Sequence, residues 1–301
     1  MTATEQTMRD VFVHAMSAAL DDDPRIALVL ADISADRFTE VTERHPDRIH
    51  DVGIREQAMV GVAGGLALAG LRPVLHTITP FLVERPYEQL KLDLGHQGVG
   101  AVAVSTGASY DYPGAGRTHM APADVALLDT LPGWAVHVPG HPDELRAALD
   151  TALAGDDRVY LRMSEQVNAE PRLGGPGWQV VRHGTRGVVA AVGPTLDPVL
   201  AATAGLDVTV LYTGEIRPFD AVGLRAAAGS ARPDVVLVEP YLRGTSAHEV
   251  QRALADLPHR ALSLGVRRDT ELRNYGTAQQ HTAAHGLDAA GIAAEVRGFL
   301  G

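Results

Sequence analysis

The segment at residues 51–70 reads Asp-Val-Gly-Ile-Arg-Glu-Gln-Ala-Met-Val-Gly-Val-Ala-Gly-Gly-Leu-Ala-Leu-Ala-Gly. It places one acid, Glu56, in the first turn of an almost wholly apolar helix, where the positive end of the helix dipole favours a carboxylate. Asp51 and Gly53 form a break that can cap this helix. Because no charged residue follows Glu56 in the segment, we expect the helix to be buried on nearly all sides. Such a helix start suits close approach to a flat, polar ligand.

The composition is that of a globular protein. The 301 residues are 46% hydrophobic, with a net charge of −11 and dispersed basic residues, which argues against a nucleic acid or an anionic membrane as partner. The lack of cysteine excludes disulfides, thiolate catalysis and cysteine-based zinc sites. No spacing of histidine and acidic residues indicates a metal site. The polar N-terminus is unlike a signal peptide and no apolar run reaches the roughly 20 residues of a membrane span, so we expect a cytoplasmic protein.

Short apolar runs alternate with amphipathic stretches along the chain, the pattern of a parallel α/β sheet. Helices are predicted at 7–20 and from Pro142 through Leu153. A stretch rich in glycine, proline and polar residues predicts a linker at 166–180 between a first domain, 1–165, and a second domain, 181–301. The apolar runs predict strands at 26–31, 72–78, 99–105, 135–139, 158–162, 187–192, 208–212, 234–239 and 261–266.

Two loops that follow predicted strands carry residues suited to ligand binding. The first, residues 77–90, contains Phe81, whose ring can stack on a flat heteroaromatic group with a gain of about 0.5–1.5 kcal/mol beyond burial. The second, residues 105–128, contains His119 directly after Thr118. Taken alone, Phe81 fits a core position equally well, and a loop histidine is more often simply exposed to solvent.

Residues 53–57, Gly-Ile-Arg-Glu-Gln, resemble the Gly-Ile-x-Glu-Gln signature of the pyrimidine-binding domain in transketolases and related thiamine diphosphate enzymes. An acid in a first helical turn is commonly only a solvated partner of the helix dipole. The resemblance instead implies that Glu56 hydrogen-bonds the ring nitrogen of the aminopyrimidine and promotes its imino tautomer, which deprotonates the thiazolium carbon. That role needs a protonated carboxyl, and an apolar helix start disfavours the charged form.

The same resemblance assigns further residues to the cofactor. Phe81 matches the stacking phenylalanine, and Tyr87 lies in the helix that follows it. Ile78 stands where relatives often have another aromatic residue. Asp32 matches an aspartate that lies near the cofactor across the subunit boundary, while a capping role at a strand end remains equally open.

His119 matches the histidine of the family's Gly-Glu-Asp-Gly-x-Thr-His-Gln loop, which contacts the substrate near the reacting carbonyl. The resemblance implies that His119 donates a hydrogen bond to the developing oxyanion or shuttles a proton. Gly114-Ala115 replaces the Glu-Asp pair of that loop and so removes an acid that holds sugar hydroxyls.

The substrate end of the site departs from the family. Arg9 and Arg162 match two arginines of the phosphate site, and an arginine fork suits a phosphate or a carboxylate; Arg9 equally fits a surface salt bridge. Gly107 replaces a phosphate-binding histidine, and Asp36 falls near the position of a phosphate-binding serine, where an acid repels phosphate. We therefore expect a substrate other than an ordinary sugar phosphate, such as a carboxylated or deoxy acceptor.

The second half also resembles this family, since residues 216–220, Ile-Arg-Pro-Phe-Asp, are similar to a turn of the transketolase C-terminal domain. The implied fold is a pyrimidine-binding α/β domain followed by a smaller α/β domain. The Gly-Asp-Gly motif, with which full-length relatives bind Mg²⁺ and the diphosphate, does not occur. The resemblance thus implies thiamine diphosphate and Mg²⁺ as cofactors, a separate large subunit that holds the diphosphate and the metal, and an α2β2 assembly that buries the helix at 57–70.

The resemblance implies the small subunit of a two-component transketolase, which moves a two-carbon ketol unit from a ketose or 2-oxoacid donor to an aldehyde, with specialised metabolism as one candidate setting. One alternative is the β-subunit of a 2-oxoacid dehydrogenase or another acyl-transferring relative, for which the donor would be pyruvate rather than hydroxypyruvate or a ketose. A third is a scaffold or regulatory subunit that has lost catalysis, which the changes at Ile78, Gly107 and Ala115 suggest.

Overall fold

Two sheets form the framework of the protein. The computed structural model describes residues 6–301, so the first five residues of the predicted 1–165 domain lie outside the described part. A seven-stranded sheet has the order β10-β5-β6-β4-β3-β1-β2, and a five-stranded sheet has the order β12-β11-β8-β9-β7. The strands are β1 Ile26–Leu30, β2 Ile49–Asp51, β3 Arg72–Ile78, β4 Ala101–Thr106, β5 Trp134–His137, β6 Arg158–Arg162, β7 Gln179–Arg182, β8 Val188–Val192, β9 Thr209–Thr213, β10 Glu215–Arg217, β11 Asp234–Leu242 and β12 Arg260–Val266.

Helices flank both sheets, and their starts follow local sequence. Thr7 caps the first helix in a reciprocal capping box with Asp10, and Pro142 occupies the first turn of the seventh. The helices are α1 Met8–Asp22, α2 Thr39–Arg44, α3 Glu56–Leu68, α4 Thr79–Val83, α5 Tyr87–Gln89, α6 Asp124–Leu128, α7 Pro142–Ala154, α8 Leu196–Ala202, α9 Ala221–Gly229, α10 Ala247–Ala253, α11 Ala278–His285 and α12 Ala289–Leu300. None of the helices in residues 6–301 is long and apolar enough to cross a membrane.

The predicted parallel α/β architecture is confirmed. Strands β1, β4, β8 and β9 are buried along their whole length, as expected of parallel strands that helices cover on both faces. Apolar side chains on the two faces of the first sheet form separate core clusters. The division at 166–180 remains a prediction; residues 163–178 hold no helix or strand, and β7 begins at Gln179.

Three short strands, β2, β7 and β10, were not foreseen. Strand β7 pairs antiparallel with β9. Strand β2 pairs with β1, and β10 pairs antiparallel with β5 through Glu215 and His137. Strand β10 therefore carries the second half of the chain onto the edge of the first sheet. Strands of three or four residues are too short to show a hydrophobic period, and the resemblance gave the segment of β10 as a turn.

Helix α3 differs from expectation at its start and on one face. Its N-cap, Arg55, makes no side-chain cap; the Asp51 carboxylate instead accepts from the backbone amides of Asp32 (3.0 Å) and Gly53 (2.9 Å). The prediction of nearly complete burial is also wrong for the single chain. One face packs inward, but Val62 and Leu68 are 37% and 60% exposed, and Ile54 ahead of the helix is 70% exposed.

The inner face of α3 needs glycine at one position. A Cβ at Gly64 would lie 2.7 Å from the backbone oxygen of Asp93, whereas a Cβ at the neighbouring Gly65 would meet nothing within 4 Å. We expect Gly64→Ala to lower the free energy of unfolding by about 1–2 kcal/mol because the helix must move away from that carbonyl. Gly65→Ala, the control, should raise it by about 0.5–1 kcal/mol, the ordinary helical preference for alanine. Urea unfolding of the chain measures both, and equal changes would contradict this packing.

Candidate active site

Three of the predicted site residues lie in segments that follow three strands on one side of the first sheet, β2, β3 and β4, with β1 between β2 and β3. Glu56 begins α3 after β2, Phe81 lies in α4 after β3, and His119 ends a short 3₁₀ turn after β4. Parallel strands bring their carboxyl ends to one edge of the sheet, where α/β proteins commonly bind ligands. The fold therefore gathers segments that are far apart in sequence.

Glu56 is buried but not isolated. The residue is 1% exposed, and Nη1 of Arg85 donates to both of its carboxylate oxygens at 2.8 Å. The expectation of a carboxyl with only apolar surroundings is therefore corrected, since a guanidinium contacts both of its oxygens. Arg85 itself is 38% exposed, so its side chain has room to leave the carboxylate toward solvent.

Phe81 links this ion pair to His119. The guanidinium carbon of Arg85 lies 4.0 Å from the centroid of the Phe81 ring, a cation–π contact. The His119 ring meets the same phenyl ring edge-on, with centroids 5.2 Å apart and planes at 75°. We call Glu56, Arg85, Phe81 and His119 the active-site cluster. It combines a buried carboxylate, an aromatic surface and an imidazole, whose Nδ1 lies 2.9 Å from Oγ1 of Thr118.

Arg85 was missed by sequence reasoning. It lies four residues after Phe81, a spacing that brings side chains together on a helical turn, and this signal could have found it. Ile78 is half-buried directly before α4. The Tyr87 ring packs against the core, and its hydroxyl forms a hydrogen bond with Thr130.

Arg9 lies in a second polar arrangement at the same edge of the sheet. Its Nε donates to Oγ of Ser34 at 2.9 Å, and Ser34 Oγ lies 2.9 Å from Nε2 of the buried His76. Burial lowers the pKa of His76 to about 4, so the ring is neutral. Its Nδ1 donates to the Val104 carbonyl at 2.8 Å, which leaves Nε2 to accept from the serine hydroxyl. The serine beside Arg9 is thus Ser34, a residue that sequence reasoning did not single out.

The opening beside Arg9 has a volume of about 950 Å³ and is lined by Arg37, Thr106, Tyr112 and Glu165 as well. Arg37 forms an ion pair with Asp10. Asp32 is exposed at the end of β1, with a positive φ of 67°.

Arg162 does not reach this opening. It is 1% exposed, its Nε donates to Oδ2 of Asp124 at 2.7 Å, and its Nη2 donates to Ser109 Oγ at 2.6 Å. The same Asp124 oxygen accepts from the Tyr160 hydroxyl at 2.7 Å. The prediction that Arg162 contacts the substrate is therefore corrected, because its side chain forms an internal ion pair with Asp124. Its position in a strand did not show that the side chain is buried.

The backbone conformation and the surroundings of position 107 favour glycine there. Its φ is +76°, and a Cβ there would lie 2.3 Å from a ring carbon of Tyr112. The Tyr112 hydroxyl lies 3.0 Å from Oγ1 of Thr106, so the tyrosine ring is held over the glycine. No side chain fits at position 107, which explains why the histidine of the family pattern is missing there.

The sequence profile of the transketolase pyrimidine-binding domain matches residues 4–169. The chain belongs to this family. It is 55% identical to an uncharacterized 33.6 kDa protein in the fasciation locus of Rhodococcoides fascians, over 98% of this chain and 95% of that protein. It is 33% identical to 1-deoxy-D-xylulose-5-phosphate synthase of Polaromonas naphthalenivorans, over 99% of this chain and 48% of the synthase. The chain thus spans about half the length of that synthase.

A solved structure described as a split gene transketolase, inactive beta4 tetramer, has the same fold. The TM-score is 0.83 at 24% identity, and the alignment covers 99% of both chains. The predicted fold class and the predicted family, one that depends on thiamine diphosphate, are therefore confirmed. The roles of individual site residues remain predictions.

The buried ion pair of Arg162 and Asp124 predicts how substitutions change the free energy of unfolding. Arg162→Met would leave the Asp124 carboxylate, which is 0% exposed, without its cation, and we expect a loss of about 3–5 kcal/mol in the free energy of unfolding. Arg162→Met combined with Asp124→Asn removes both charges and should recover part of that loss. Urea unfolding of the two variants measures the difference. A loss below about 1 kcal/mol in the single variant, the size of a surface pair, would contradict the buried ion pair.

Proposed function

We propose that this chain is the small subunit of a two-component, thiamine diphosphate-dependent transferase of the transketolase type, and that it supplies the pyrimidine-binding half of the active site. One observation carries the proposal: the carboxylate of Glu56 is buried at the start of α3 within a cluster that also holds the Phe81 ring. Membership in the transketolase pyrimidine-binding family supports it.

The residues of the cluster fit an aminopyrimidine. Glu56 would hold a proton on a ring nitrogen, Phe81 would offer its ring for stacking, and Ile78, half-buried beside it, would line the pocket. Asp32 and Tyr87 keep their proposed places near the cofactor. When bound, thiamine diphosphate supplies the carbon nucleophile that attacks a donor carbonyl.

Arg85 adds a step that the family resemblance did not include. Its Nη1 contacts both oxygens of Glu56 and its guanidinium lies on the Phe81 ring, so in this proposal the guanidinium shifts when a pyrimidine stacks on that ring and bonds the carboxylate. The partial exposure of Arg85 allows that shift toward solvent, away from its contact with the Phe81 ring. In this proposal Arg85 holds the Glu56 carboxylate in place until the pyrimidine binds.

His119 is placed to act on the substrate. Its edge-on contact with Phe81 sets it against the proposed stacking surface, and the Thr118 hydroxyl near Nδ1 orients the ring. We propose that His119 donates a hydrogen bond to the oxyanion that forms on the donor carbonyl, or moves a proton there.

The substrate is proposed to bring its anionic group to Arg9. The opening there holds Arg9 and Arg37 but also Asp10 and Glu165, a mixed set that does not favour a doubly charged phosphate strongly. A carboxylated or deoxy acceptor fits this charge balance better than an ordinary sugar phosphate.

The partner is proposed to be a large subunit that holds the diphosphate and Mg²⁺ in an α2β2 assembly. The apolar residues Ile54, Val62 and Leu68 lie exposed at or near the outer face of α3, the helix that Glu56 begins. An exposed apolar surface of this kind commonly marks a subunit interface. The chain whose fold matches over 99% of both lengths is itself described as a split gene transketolase, which supports a divided enzyme.

A second candidate activity is acyl transfer, in which pyruvate is the donor. It is favoured by the 33% identity to a 1-deoxy-D-xylulose-5-phosphate synthase. A 1-deoxy sugar carries a methyl group where a ketose carries a hydroxymethyl group. Release of carbon dioxide from hydroxypyruvate or from pyruvate by the assembled enzyme distinguishes the two activities.

The role of Glu56 can be tested in that assay. We expect Glu56→Gln to lower turnover by at least about 100-fold, because an amide cannot hold and release the proton as a carboxyl does. Glu88→Gln, which changes an exposed acid of α5 outside the active-site cluster, should leave turnover unchanged. Assembly with the large subunit, followed by size-exclusion chromatography, should be the same for both variants. Near-normal turnover of an assembled Glu56→Gln enzyme would contradict the proposed role.

A further inference from the structure

A separate cavity lies where the His119 loop meets the second half of the chain. Its volume is about 300 Å³, the lower end of the range for small-molecule sites. The loop from Ser109 to Ala123 forms one wall, the ends of β11 and β12 form the floor, and the segment from Arg267 to Leu272 and helix α11 close it. It is distinct from the active-site cluster, none of whose members line it.

The cavity has more cations than anions. Arg117, Arg267 and Arg268 line it, whereas Glu271 is the only acid among its described lining residues. Nε of Arg117 lies 3.8 Å from a Glu271 oxygen with both side chains about half exposed, so this pair is loose. Within the described residues, Arg268 donates a hydrogen bond only from its Nε, to the backbone carbonyl of Arg243. The guanidinium ends of Arg117 and Arg268 therefore remain incompletely neutralised, whereas Arg267 forms an ion pair with Asp269.

Two buried histidines form one side of the cavity, and one of them offers it a hydrogen-bond donor. His281 and His285 are 3% and 6% exposed, and both rings pack against Tyr110, with centroids 5.7 and 5.5 Å from the phenol ring. Nδ1 of His285 accepts from the backbone amide of Arg267 at 3.4 Å, which places the ring proton on Nε2. Within residues 6–301 that Nε2 has no hydrogen-bond partner. Because His285 lines the cavity, this donor is available to a bound group.

The histidine is neutral in this state. Burial, with His281, Arg267 and Arg243 nearby, lowers the pKa of His285 to about 4. At neutral pH the cavity therefore offers two kinds of group, exposed guanidinium forks and a neutral N–H donor. Both are typical of sites that bind an oxyanion.

We propose that this cavity binds a small organic anion through a phosphate or carboxylate group held by Arg117, Arg268 and Nε2 of His285. The size of the cavity admits a compact metabolite. Its wall includes Arg117, which begins the turn Arg117–His119, so the bound anion would lie next to the loop that carries His119. This inference does not depend on the proposed transferase activity.

Calorimetric titration of the full chain with inorganic phosphate, and separately with succinate, at fixed ionic strength tests the proposal. We expect saturable binding of at least one of the two anions, and its identity shows whether the group is a phosphate or a carboxylate. Arg268→Met should weaken binding at least about tenfold, the loss expected for one charge-assisted contact. Arg273→Met removes the same charge from the same segment outside the cavity lining and should bind as the unaltered chain does.

Three results would overturn the proposal. These are no saturable binding of either anion, equal weakening by Arg268→Met and Arg273→Met, and no weakening by Arg268→Met. Because Arg268 is exposed, its replacement should leave folding intact, which circular dichroism of the variant verifies. None of these results bears on turnover, so failure of this site and failure of the transferase proposal remain distinguishable.

Discussion

One buried guanidinium holds the two halves of the protein and the His119 loop in register. Arg162 of β6 binds Asp124 at the start of α6 and Ser109 in the loop, and the Ser109 hydroxyl donates to the Pro240 carbonyl of β11 at 2.6 Å. A charge removed from water must be paired and hydrogen-bonded, so this geometry has few alternatives. The loop between these anchors carries His119, and its placement beside Phe81 follows from that constraint.

The active-site cluster and the cation-lined cavity share this loop but use arginine differently. In the cluster, Arg85 is matched by the Glu56 carboxylate and lies on an aromatic ring. In the cavity, Arg117 and Arg268 are only loosely compensated. The chain is acidic as a whole, with a net charge of −11. These arginines therefore act through local placement: Arg85 is paired with a carboxylate, and Arg117 and Arg268 are proposed to bind an external anion.

The sequence predicted the regular framework well because its signals are local. Buried parallel strands such as Arg72–Ile78 and Arg158–Arg162 show as short apolar runs, and family motifs located Glu56, Phe81 and His119. The errors concern contacts between distant positions. The Arg85–Glu56 pair spans 29 residues and the Arg162–Asp124 pair 38 residues, distances at which neither spacing nor periodicity carries a signal. Composition could not show that one face of α3 is exposed in the single chain, because an apolar helix looks the same whether its own chain or a partner covers it.

The central claim is that this chain holds the pyrimidine half of a divided thiamine diphosphate site. Native mass spectrometry tests it most directly, with thiamine diphosphate and Mg²⁺ added to the chain alone and to the chain assembled with a large subunit. We predict no stoichiometric cofactor on the chain alone and one cofactor for each small subunit in the assembly. Stoichiometric, Mg²⁺-dependent binding by the chain alone would contradict this account, because the chain would then hold its own diphosphate site.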